Sequence, residues 1–120
     1  MGASLSDGSQ IEAYTGSQFE PDQTIEKYEQ GEQTNLEKME GVSRIALLSA
    51  NYTTLGSLRA RRFAIKFLEN GQWEVLDETI ALYGGVEYLV ELHASESKYE
   101  SHKPELETIL SSWRLIPRSQ

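Results

Sequence analysis

The sequence has no cysteine among its 120 residues. That absence removes disulfides, thiolate metal sites and cysteine nucleophiles together, and it leaves the redox compartment open. Long apolar runs are missing too, with no stretch near the roughly 20 residues that a membrane-crossing helix needs. Basic residues are few, 11 Lys and Arg against 19 Asp and Glu, so the formal net charge is -8. An acidic surface repels phosphate backbones, which argues against general nucleic-acid binding. The chain has two histidines and no Gly-x-Ser-x-Gly elbow, G-x-G-x-x-G or P-loop run. It therefore carries no local signature of nucleophilic catalysis or of nucleotide binding by those routes.

What is present fits one small α+β domain. Hydrophobic residues make up 38% and charged residues 25%, a globular rather than a disordered composition. Residues 1–8 are expected to be a flexible segment, 9–117 a single domain and 118–120 a tail. Gly2 and Ser6 match an N-myristoylation pattern, but no basic cluster follows to supply a second anchor. Met1 is read as a start placed on a trimmed piece of a longer protein. Ser9–Thr15 alternates weakly and predicts a short strand. Pro21 suits the first turn of a helix whose stripe is Ile25, Tyr28, Leu36 and Met39, with Gly41 as its stop.

From Val42 the period changes to two. Arg44–Thr53, Ala60–Leu68, Trp73–Tyr83 and a last strand carrying Tyr88, Val90, Leu92 and Ala94 read as successive strands. Asn70-Gly71 and Gly84-Gly85 are hairpin turns, so these strands form an antiparallel meander. Ser97 with Glu100 suggests a capping box, and Pro104 a restart of the closing helix, whose stripe is Leu106, Ile109, Leu110 and Trp113. Leu89, on the otherwise polar face of the last strand, implies that both sheet faces are covered. The expected fold is an antiparallel sheet sandwiched between helices in three layers, α/β/α.

Two constellations stand out. Glu87, Glu91 and His93 project from one face of the last strand, where Glu78 or Asp77 of the neighbouring strand could join them; carboxylate with imidazole would suit zinc or manganese. Solvated strand residues are the competing reading, because no H-E-x-x-H spacing is present. Arg59, Arg61, Arg62 and Lys66 form the one concentrated positive stretch. They suit docking of an acidic partner, or else a charged strand that resists edge aggregation. Alternation sends Arg59 and Arg61 one way and Arg62 and Lys66 the other. The six tyrosines read as packing residues rather than a ligand cage.

Several segments together resemble the PsbP-like family. They are Thr24-Ile25-Glu26-Lys27-Tyr28, the turn and strand from Leu55 to Arg62, the run from Tyr83 to Ser95, and Ile109 to Leu115 with its Ser-aromatic-Arg ending. The resemblance spans roughly Thr24 to Leu115. It implies the sandwiched antiparallel sheet and a family of extrinsic, assembly and exported proteins, with relatives that bind a Ran-type GTPase. Metal association recurs in that family. The opening hairpin usual there is not legible before Ser9, and Ser57 stands where a second glycine is common. The function expected is a non-enzymatic accessory or scaffolding domain, monomeric and without membrane insertion, that binds another protein. The alternative is a small-ligand or metal-binding carrier. Export, or a lumenal or periplasmic place, is expected if the domain is trimmed from a longer chain, and the cytoplasm otherwise.

Overall fold

A computed structural model of the chain describes the backbone of residues 2–4 and residues 7–16 and 21–115 in full. Its elements run β1 (Gly2–Ser4), β2 (Gln10–Gly16), α1 (Ile25–Lys38), β3 (Val42–Leu55), β4 (Leu58–Glu69), β5 (Gln72–Tyr83), β6 (Val86–Ser95) and α2 (Glu96–Ser112). All strand pairs are antiparallel, in the order β1-β2-β6-β5-β4-β3. The meander β3–β6 follows from its turns. Asn70 and Gly71 both take positive φ, 50° and 83°, as do Gly84 and Gly85, at 61° and 77°. Two consecutive residues of that hand make the tight turn whose twist matches the flanking strands.

Alternation assigns the two faces. Phe63, Ile65, Phe67, Leu76, Ile80 and Leu89 join Ile25 and Leu36 of α1 in one core. Ala60, Val75, Ala81, Val90, Leu92 and Ile11 join Tyr99 and Leu106 of α2 in the other. The sheet is thus the middle of three layers, and each buried large side chain contributes about 1.5–3 kcal/mol. The helices do not sit opposite each other. α1 lies over β3, β4 and β5, whereas α2 lies chiefly over β6 and reaches β5. The face of β2 and β6 away from α2, and the face of β3 and β4 away from α1, are therefore left thinly covered.

Several local expectations change. Helix α1 begins later than Pro21, because the Thr24 side chain accepts from the Lys27 amide at 3.0 Å and caps the helix at that point. Helix α2 neither starts at Ser97 nor restarts at Pro104. It runs unbroken through that proline, held on both sides of it by buried Tyr99 and Leu106. Residues 2–4, expected within a flexible segment, pair with β2 from Gly2↔Glu12 to Ser4↔Gln10. Such an edge strand needs backbone hydrogen bonds but no side-chain pattern, so alternation gives no sign of it. Residues 118–120 lie outside the described residues. Gly56, at φ 60°, turns β3 into β4 directly beneath Trp113, whose ring would be 3.2 Å from a Cβ there.

Candidate functional site

The four basic residues do not form one surface. Arg59 Nη2 meets Glu26 Oε2 at 3.1 Å, and Arg61 Nε donates to Glu29 Oε1 at 2.7 Å, both on the α1 side. The Tyr52 ring lies beneath both guanidinium groups, at 4.7 and 4.4 Å, and its hydroxyl donates to Glu26 at 2.6 Å. That hydroxyl, with Arg59, holds the Glu26 carboxyl down at about 2. On the α2 side, Arg62 donates through Nε and Nη2 to Asp77, each at 3.0 Å, and through Nη1 to Glu107 at 2.7 Å. Lys66 meets Glu96 at 2.9 Å and lies 4.6 Å from the Trp73 ring centre. All four cations are paired with carboxylates of the same chain.

The metal candidates are likewise dispersed. Glu87, Glu91 and His93 share the thinly covered face of β6, but four residues of strand separate the first two by about 13 Å. Glu91 accepts from the Tyr14 hydroxyl at 2.8 Å, and His93 Nε2 faces Glu74 at 3.1 Å. Among the described residues no three His, Asp or Glu side chains are grouped to hold a metal ion.

Two carboxylates beneath the helices matter more. Asp77, 1% exposed, accepts from Arg62 twice and from the Tyr99 hydroxyl at 2.6 Å. Glu78, 2% exposed, points the other way, toward α1. No donor reaches its Oε1, a situation an ionised carboxylate tolerates poorly. Burial, then the nearby charges of Glu32 and Glu91, push its carboxyl up to about 10, so it keeps its proton at neutral pH. Burial pushes Glu32 up as well. A protonated Glu78 can donate to Glu32, which relieves the like-charge contact. Alternation contained the signal for both residues: β5 reads Val75, Asp77, Thr79, Ala81 on one face and Leu76, Glu78, Ile80 on the other. When both faces of a strand are apolar, any charge in it is buried.

The feature least legible beforehand is β3. Ten of its 14 positions are exposed, including Leu47, Leu48 and Tyr52 at 47%, 48% and 54%. Among the described residues it pairs on one side only, with β4. Register shifts leave Ser43 and Leu48 as extra residues, and from Ser49 to Leu55 the pairing is regular. Arg44 is its single charge.

No protein-family model matches the chain, and no characterised protein matches it by sequence. Solved structures do resemble it. PA94 of Pseudomonas aeruginosa, a protein of unknown function, aligns with TM-score 0.72 and 13% identity over 93% of this chain and 74% of its own. LpqN of Mycobacterium tuberculosis, involved in cell envelope biogenesis, aligns with TM-score 0.59 and 17% identity over 92% of this chain and 65% of its own. CyanoP, the PsbP protein of Synechocystis, aligns with TM-score 0.64 and 11% identity over 97% and 81%. The fold is PsbP-like, as the sequence resemblance implied. None of the three is named as an enzyme.

Two substitutions test this electrostatic reading by urea denaturation. Arg62→Ala leaves Asp77 buried without its cation and is expected to cost about 3–5 kcal/mol. Glu78→Gln should act oppositely. Because the folded pKa of Glu78 is raised, its favourable contribution is complete below about 4.5 and is lost as pH rises toward about 10. The wild type should lose up to about 1.4 kcal/mol per pH unit across that window from this group. Glu78→Gln should flatten the slope and be more stable by about 1–3 kcal/mol at pH 7. A Gln variant less stable than wild type at pH 7, or one with the same slope, contradicts a protonated Glu78.

Proposed function

We propose that this domain is a non-enzymatic accessory module that binds another protein by receiving an extended segment alongside β3. The observation that carries the reading is a 14-residue edge strand exposed at ten positions and bearing one charge. Native edges are usually short, covered or charged, since bare N–H and C=O groups recruit any extended chain. An exposed edge of low charge suits strand addition, in which backbone bonds supply affinity and alternate side chains supply specificity.

The partner's chemistry follows from the edge. Leu47 and Tyr52 flank the α1-side face, while Ser49, Asn51 and Thr53 line the other. A segment with apolar residues on one face and small polar residues on the other matches both. The extra residue at Leu48 bends the edge and leaves seven regular positions, Ser49–Leu55, which favours a short peptide over a second flat sheet. A short peptide is also a better match than a second copy, whose bulge would oppose this one. The basic residues enter only indirectly, because Arg59 and Arg61 hold the Tyr52 ring in place. Structural likeness to CyanoP and to LpqN, which takes part in envelope biogenesis, supports an accessory role.

A photoreactive side chain placed at Leu48 or Tyr52 in the native host tests the proposal, with Gln30 on the exposed side of α1 as the control site. Cross-links from both β3 positions should converge on one contiguous stretch of one other protein. A synthetic peptide of that stretch should then bind the purified chain. Cross-links reaching only copies of this chain, scattering over many proteins, or arising equally from Gln30 contradict docking at β3.

A further inference from the structure

The offset between the helices leaves a polar groove between α2 and the outer strands. One cavity of about 260 Å³ is lined by Thr53, Arg62, Thr79, Glu107, Ser111 and Arg114, among others. A second, of about 200 Å³, continues it past Asn51 and Lys103 and shares Arg62 and Glu107. On its floor Thr79 is 1% exposed, and its hydroxyl Oγ1 has no hydrogen-bond partner. A buried hydroxyl without a partner costs about 1–3 kcal/mol relative to one that is bonded. Its neighbours on β5 explain why it stands out: Asp77, two residues away on the same face, is fully engaged.

The lining selects the ligand by elimination. Arg62 and Arg114 disfavour a cation. Glu107 disfavours an anion, and so does the carbonyl end of α2, where Arg114 Nη1 already serves Ser111 O and Trp113 O at 3.0 and 2.7 Å. An apolar ligand would strip water from the hydroxyls and replace none of their bonds. What fits is a neutral molecule whose every edge can both donate and accept. Hydroxyls have that property, and Thr53, Thr79 and Ser111 present their own from both walls and the floor. Ser111 already donates to Thr108 O at 3.0 Å, so its oxygen is oriented to accept. Glu107 is fixed through Oε1 by Arg62, and its second oxygen can receive ligand hydroxyls.

We infer that this groove is a binding site for a neutral polyhydroxylated ligand, a single sugar ring, seated on Thr79 between Ser111 and Glu107 of α2 and Thr53 of β3. The site shares Thr53 with the α2-side face of β3 but is built on Thr79 of β5 and on α2, and it does not use the backbone edge at which a strand would dock.

Titrating the isotope-labelled full chain with glucose, mannose and N-acetylglucosamine, followed by amide chemical shifts, tests it. At least one sugar should produce saturable shifts centred on Thr53, Thr79 and Ser111. Thr79→Val keeps the side-chain shape and removes the hydroxyl. It should weaken that binding about three- to tenfold, the worth of one neutral hydrogen bond, while the melting temperature stays level or rises. Four results overturn the inference: no saturable shift with any of the three sugars, the same amides saturating with inorganic phosphate or acetate, equal affinity in the Val variant, or a lowered melting temperature. The last would mean that the hydroxyl is already bonded within the fold.

Discussion

The sheet and its second helix are joined at Asp77. A carboxylate 1% exposed would be intolerable alone, yet this one receives three hydrogen bonds, two from Arg62 on β4 and one from Tyr99 on α2. Arg62 extends the connection to Glu107, two turns further along α2. Three elements, β4, β5 and α2, are thereby joined at one buried charge, and α2 lies over β6 and β5, the two middle strands of the sheet. Burial of such a group adds specificity of arrangement more readily than net stability, because desolvation offsets much of the attraction.

The remaining features follow from that placement. With α2 over β6 and β5 on one face and α1 over β3 to β5 on the other, the helices overlap only at β5. The uncovered part on the α1 side carries Glu87, Glu91 and His93, and on the α2 side it becomes the groove above Thr79. Ion pairing consumes the basic stretch of β4 in seating both helices, Arg61 on Glu29 and Arg62 on Glu107. Much of the chain's scarce positive charge is therefore engaged within the fold. Strand β3, covered by α1 on one face, pairs among the described residues on one side only and carries little charge of its own.

Most of the fold was legible. Alternation in Phe63, Ile65, Phe67 and in Tyr88, Val90, Leu92 defines faces that the structure keeps, and the paired turn residues force the meander. Leu89 alone indicated the third layer. What stayed hidden depends on contacts distant in sequence. Period-two patterning sends Arg61 and Arg62 to opposite faces but cannot reveal that Glu29 and Asp77 await them. Thr24 as the true cap was obscured by Pro21, a stronger local signal, and strand β1 has no pattern to read. The candidate site was legible least of all. Exposure of β3 is a consequence of where two helices settle, and its sequence, rich in Leu and Ala, looks like that of a covered strand.

Amide hydrogen exchange along β3 in the isolated chain tests most directly whether that edge is open. Bonded to β4 alone, the strand should alternate between protected and rapidly exchanging amides from Ser49 to Leu55, and the pattern should not change with protein concentration. Contiguous protection of that stretch, or protection that grows with concentration, would mean that the edge is already covered and would contradict the account.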